Sequence, residues 1–275
     1  MAAISTDGRI FAAQLARELT ARQASGAALL CSGTKTYADA ISGFAASMRG
    51  QSPITKASMC QSAIKQLRDG NSNLFVNAFM RRSRSAYFEI LAAQAEKHPL
   101  YDSRYEGVTV YQHVLRLRRN GHVMYGTSRL AHITWHAVGR MRERSKIDIF
   151  EAGGVAGMCG IAGLLMREST KHHNTGINLT FEGLMVTGVL RVAKDEEGYP
   201  YGFFDVLTVF DADDAAAKQA QYKQGCWIAN AAMKYMQSDD ADTAGYADDI
   251  AVLPFHETDF VSRELRLAVA GGPSC

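Results

Sequence analysis

The first seventy residues repeat their apolar positions at helical spacing. Between residues 8 and 24, Ile10, Phe11, Leu15 and Leu19 fall on one side of a 3.6-residue turn. Ser32-Gly33-Thr34 interrupts the pattern, and a second helix is predicted over 37–48, closing near Gly50. Ser52-Pro53 opens a third, with proline in the first turn, and Asp69-Gly70-Asn71 stops it. Residues 74–97 read as a fourth, long helix that ends before His98-Pro99, because the residue ahead of a proline disfavours helical backbone. The first hundred residues are therefore expected to be all-helical.

The pattern changes at Glu106. Val108, Val110, His113, Leu115 and Leu117 lie among β-formers, Asn120-Gly121 marks a hairpin turn, and residues 122–125 supply the return strand. Residues 130–146 read as a helix that packs on the sheet, followed by a glycine-rich apolar segment over 149–166. Residues 177–192 alternate partly as a strand, 195–200 form a turn, and 203–210 are the strongest strand in the chain. Residues 211–214 cap a helix that reaches about Gln237, 239–249 form an acidic loop, and 250–255 a last strand. Helices first and mixed elements afterwards predict an α+β protein. A helical N-terminal region over 1–100 precedes a mostly antiparallel sheet packed with helices over 101–275.

Composition narrows the class. The chain has 275 residues, 47% of them hydrophobic, which is enough for a full core. Cysteines 31, 60, 159, 226 and 275 are odd in number, far apart and never in a CxxC pair, which fits reduced thiols in a cytoplasm. The N-terminus lacks the basic start and apolar run of a secretory signal. The 149–166 segment is short for a bilayer, which needs about 20 apolar residues, and carries Glu151 and five glycines. It is expected to be buried inside a soluble fold, with Gly153, Gly157, Gly160 and Gly163 allowing close approach of a neighbour. No membrane partner is expected.

The net charge of +2 conceals a division. Residues 1–150 hold 21 Lys and Arg against 10 Asp and Glu, a balance of +11, whereas 151–275 hold 9 against 18, a balance of −9. A basic front half points to a polyanionic partner such as RNA, to an acidic protein, or to the chain's own acidic half. Arg81, Arg82 and Arg84 on the expected long helix, and Arg116, Arg118 and Arg119 at the hairpin tip, are the candidate phosphate contacts.

One run carries residue types suited to catalysis. His132, His136, Arg140 and Arg144 recur every four residues, which on a helix makes a polar stripe beside Ile133, Ala137 and Met141. Histidine exchanges a proton near neutral pH, and arginine grips phosphate with a planar fork. A histidine with two arginines on one face is a kit for breaking a phosphodiester, His136 moving the proton and Arg140 and Arg144 stabilising the growing charge. The segment Thr134-Trp135-His136-Ala137-Val138-Gly139-Arg140-Met141-Arg142-Glu143-Arg144 resembles the His-Ala-x-x-Arg-Met-x-Glu-Arg helix of small RelE/BrnT-like ribonuclease toxins. Val206-Leu207-Thr208-Val209 resembles the strand that follows it in those domains. The resemblance covers about a dozen residues and one strand of a chain some three times their size. It implies a metal-independent ribonuclease with His136, Arg140 and Arg144 as its site and Glu143 as a structural partner. The alternative is a non-enzymatic interaction or nucleic-acid-binding protein, in which the stripe is a structural ion network.

No phosphate-binding glycine loop, GxSxG elbow, HExxH pair or calcium loop occurs, so no cofactor and no metal are expected. His172-His173 lacks a third ligand at metal spacing, and nothing in the sequence places His256, Glu257 and Asp259 near other ligands. The sequence leaves the oligomeric state open.

Overall fold

The computed structural model describes residues 4–70, 76–82, 86–100, 106–118, 120–167, 176–181, 183–194, 198–211 and 219–238. Three helices come first: α1 (Thr6–Leu30), α2 (Tyr37–Ser47) and α3 (Pro53–Gly70). Each start is set locally. Ser5 caps α1 by accepting from the Gly8 N–H at 3.1 Å, and Thr36 caps α2 by accepting from Asp39 at 3.2 Å. Ser52 does the same for Thr55 at 3.1 Å, just ahead of the Pro53 that opens α3.

Seven strands then form one mixed sheet. In chain order they are β1 (Val76–Arg82), β2 (Ala86–Lys97), β3 (Glu106–Leu117), β4 (Val123–Thr134), β5 (Gly176–Phe181), β6 (Leu184–Lys194) and β7 (Pro200–Asp211). Their spatial order is β1-β2-β3-β4-β7-β6-β5. Every pairing is antiparallel except the central one, where β4 runs parallel to β7 through Ala131↔Phe204, His132↔Asp205 and Ile133↔Val206. Two meanders thus meet at one parallel seam. The link between them passes through α4 (Trp135–Ser145) and α5 (Ile149–Arg167), and α6 (Gln219–Gln237) closes the described chain. The fold is α+β.

Residues 74–97 do not form the helix that their composition predicts. They contain β1 and all of β2, which pair from Val76↔Ala92 to Arg82↔Ala86, and β2 pairs with β3 along its whole length. The sheet therefore runs without interruption across residue 100. The reason is burial on both faces. Phe88, Ile90 and Ala92 enter one core and Leu91 and Ala93 the other, so the strand shows no alternation, and periodicity does not separate it from a buried helix. A second correction concerns residues 130–146. Residues 130–134 are the end of β4, and the helix begins only at Trp135, where Thr134 has extended backbone and caps it by accepting from the Ala137 N–H at 3.2 Å. The single strand expected over 177–192 is a hairpin, β5 and β6, turning at Gly183. The hairpin at Asn120-Gly121, the strand over 203–210 and a helix ending at Gln237 stand as expected. The acidic loop and last strand expected over 239–255 lie outside the described residues.

Two cores flank the sheet. The larger holds the first half of α1, α4, α5 and α6 against β2, β3, β4 and the second meander. The smaller holds the last turn of α1, α2 and α3 against β1, β2 and Leu115 of β3. Helix α5 lies in the larger core: its 18-residue apolar stretch, Ile149–Met166, is 72% buried, and it alone among the described helices is long and apolar enough to cross a membrane. Two of its glycines set its distance from the sheet. A side chain at Gly163 would run into the Leu130 carbonyl oxygen, and one at Gly160 would meet Val110. Cys31, Cys60, Cys159 and Cys226 are free thiols, and burial pushes Cys60 up to about 12.

Candidate functional site

The stripe chosen from sequence is divided by the strand-to-helix boundary. His132 lies in β4 and is fully buried, whereas His136, Arg140 and Arg144 lie on α4. Within α4 the two arginines do not converge. Arg140 Nη1 donates to Glu143 Oε2 at 2.6 Å, with both side chains largely buried, and the other Glu143 oxygen accepts the Ser5 backbone N–H. Arg144 lies over the Phe210 ring of β7, 4.9 Å from its centroid. Arg142 reaches Asp7 at 3.3 Å and donates to the Lys146 and Ile147 carbonyls that end the helix. Glu143 and Arg142 thus fasten α4 to the start of α1. His136 is half-buried in the first helical turn.

Sequence reasoning missed a buried polar row on the sheet face opposite α4. His98 Nδ1 accepts the Leu100 N–H at 3.1 Å, which leaves Nε2 to donate to Asp205 Oδ1 at 3.1 Å. Arg191 Nε donates to the second Asp205 oxygen at 2.6 Å. Burial alone would raise the Asp205 pKa, but the His98 hydrogen bond and the Arg191 charge outweigh it and hold the carboxyl below its usual range. His132 stands edge-on to His98, with ring centroids 4.6 Å apart, and its Nδ1 meets Thr109 Oγ1 at 2.9 Å. Next to this cluster Arg129 donates to the Tyr111 hydroxyl at 2.6 Å, the Tyr201 hydroxyl at 2.8 Å and Glu96 at 2.6 Å. The side chains of His98 and Asp205 are 1% and 0% exposed, and the dyad joins the two meanders. Among the described residues no group of three His, Cys, Asp or Glu is arranged to hold a metal.

Other arginine positions fall together at one end of the sheet. The register places Arg81 opposite Tyr87, Tyr87 opposite Arg116, and Arg116 opposite Met124, so one row crosses four strands and carries two arginine positions. Arg82 and Leu117 flank that row, and Arg118 follows at the tip. The side chains of Arg81 and Arg82, and the whole of Arg84 and Arg119, lie outside the described residues. Alternation puts Arg116 on the face opposite Leu115, while Arg118 is exposed at the turn. The tip is held by the Arg118 N–H to His122 carbonyl bond at 2.9 Å and the Gly121 N–H to Arg118 carbonyl bond at 3.0 Å. Gly121 adopts φ 81°, which a side chain would strain.

Between this tip and the α2–α3 turn runs a groove of about 600 Å³. Arg49, Lys56 and His122 line it, with Ala45, Ala46, Val123 and Tyr125 as apolar lining, and among the described residues no carboxylate contributes to it. Lys56 is 5% exposed, and its Nζ donates to the Gly121 carbonyl at 2.6 Å. No carboxylate pairs with it among the described residues. None of these four polar and aromatic residues was a candidate from sequence, since they are spread from 49 to 125 and no motif joins them.

Comparison of the chain with protein-family models, with curated proteins and with solved structures returns no match.

Proposed function

We propose that this chain is a non-enzymatic nucleic-acid-binding protein that works in the cytoplasm and takes RNA or a similar polyanion at the sheet end described above. One observation carries the reading: Arg49, Lys56 and His122 line a groove to which no acid among the described residues contributes. Burying an ammonium without a counter-ion is costly, and an incoming phosphate would offset that cost at Lys56. Arg118, exposed at the hairpin tip, extends the cationic surface beyond the groove. The basic front half is the source of these charges, after Arg22, Arg129, Arg140 and Arg142 are taken up by Glu18, Glu96, Glu143 and Asp7. The ribonuclease reading needs Arg140 and Arg144 to face one open site, and their engagement with Glu143 and Phe210 favours the binding protein instead.

Labelled RNA and DNA oligonucleotides titrated with the protein over a range of salt concentrations test the reading. Affinity should fall steeply as salt rises, because phosphate contacts release counterions. Changing Arg49 and Arg118 together to Ala should weaken binding and flatten the slope of log affinity against log salt by about one per lost contact. Absence of binding, or binding indifferent to ionic strength, would overturn the proposal.

A further inference from the structure

The groove also says which form of nucleic acid it fits, an inference that rests on the nucleic-acid reading above. Its volume of about 600 Å³ lies in the range of small-molecule sites, roughly 300–1,000 Å³, and not of a flat duplex-binding surface. It is built of two unlike parts. Tyr125 is 54% exposed, and its hydroxyl meets Ser42 Oγ at 3.1 Å, so the ring is both open and held in place. Ala45, Ala46 and Val123 continue that apolar lining. Exposed Arg49 and buried Lys56 line the same groove. A lysine carries three N–H donors. The Gly121 carbonyl takes one, and no carboxylate neutralises the charge among the described residues. A fixed aromatic face beside unneutralised cations matches the two halves of a nucleotide: a base with a π-face and a phosphate. A base in a duplex is stacked on both sides and cannot turn its face to a ring inside a concavity. A base in a single strand can.

We propose that the groove binds one unstacked nucleotide of a single strand, its base on Tyr125 and its phosphate at Arg49 and Lys56. Asn120, Gln51 and Ser42 line the same space and offer amide and hydroxyl groups to a base edge.

The test uses the full chain and fluorescence anisotropy at fixed ionic strength. The probes are labelled twelve-nucleotide single strands of RNA and DNA, the matching duplexes, and a poly-glutamate peptide. Single strands should bind at least about tenfold tighter than duplexes, as expected where base stacking adds to charge. Tyr125→Ala should lose about tenfold on single strands and leave duplex binding unchanged. Tyr125→Phe, which keeps the ring, should retain single-strand affinity. Tyr125→Leu, which keeps bulk without a π-face, should behave like Tyr125→Ala and covers the case in which the alanine variant folds poorly. Duplexes binding as tightly as single strands, or Tyr125→Ala and Tyr125→Leu both binding single strands as wild type does, would overturn the nucleotide groove and leave the general polyanion reading in place. Poly-glutamate binding as tightly as the single strands would also overturn it, in favour of an acidic protein partner. Salt-independent or undetectable binding of every nucleic acid would remove the underlying reading itself.

Discussion

Acid should destabilise this protein through two histidines that the fold keeps neutral. His113 is 3% exposed and His132 is 0% exposed. Burial lowers His113 to about 4 and is the largest cause that lowers His132 to about 3. Both values lie below the roughly 6.5 of an unfolded histidine, so between those limits the unfolded chain binds more protons than the folded one. Stability is then complete above about pH 6.5 and is lost as pH falls through that value toward the folded pKa. At pH 5 each histidine should cost about 2 kcal/mol relative to pH 8, about 4 kcal/mol together. His113→Phe isolates one of them. The His113 ring packs against Tyr37 and Tyr111, with centroids 5.9 Å and 6.0 Å away, so phenylalanine keeps the aromatic contact. It gives up only the Thr127 hydrogen bond at 3.0 Å and removes the unpartnered buried Nε2. Urea unfolding at pH 8 and pH 5 on both proteins reads the difference, and carboxylates that titrate in both cancel. The variant should lose about 2 kcal/mol less than wild type between the two pH values. An identical loss in both proteins would refute the account of His113 as a buried neutral group.

The α4 tether and the α5 packing give two further expectations. Arg140→Ala should lower stability by about 1–3 kcal/mol, the range for a charge-assisted hydrogen bond, measured by denaturant unfolding. A variant that stays fully stable would remove the tether, and RNA cleavage by wild type that vanishes in folded Arg140→Ala would restore the ribonuclease reading. Gly163→Ala should cost about 1–3 kcal/mol by forcing α5 off the Leu130 carbonyl and Phe204. Gly154→Ala, with nothing within 4 Å of the added carbon, should be neutral or stabilising by up to about 1 kcal/mol through helix propensity; equal melting shifts for the two would contradict the packing argument.

Legibility in the sequence followed the solvent. Where one side of an element faces water, the pattern was readable. Helices α1, α2 and α3 bury a single stripe each, and their caps at Ser5, Thr36 and Ser52 are local signals. The β3–β4 turn announced itself through Asn120-Gly121. Where both sides are buried, the pattern vanished. The alanine-rich stretch Leu91-Ala92-Ala93-Gln94-Ala95-Glu96 has helical propensity throughout, yet it is a strand paired with β3 along its whole length, and pairing overrode propensity. The same loss of contrast joined the buried end of β4 to α4 and carried His132 into a stripe to which it does not belong.

The site was less legible than the fold because its parts are joined only by the register. Arg81 and Arg116 are 35 positions apart in the chain, yet they occupy one cross-strand row through Tyr87. The sequence offered them as two separate clusters, one of them on a helix that does not form. Once β1 and β2 pair, the two positions arrive in one row at the hairpin-tip end of the sheet, where Arg116 faces away from the groove lined by Arg49, Lys56 and His122. The stripe on α4 had the opposite fate. Its regular spacing was real, but Glu143 sits three residues from Arg140 and the Ser5 N–H completes the pair, so proximity in sequence produced an internal ion pair. A cation is available to a ligand when no nearby carboxylate has claimed it. Among the described residues no carboxylate pairs with Lys56, which donates to the turn of a distant hairpin, whereas Arg140 is paired with Glu143 of its own helix.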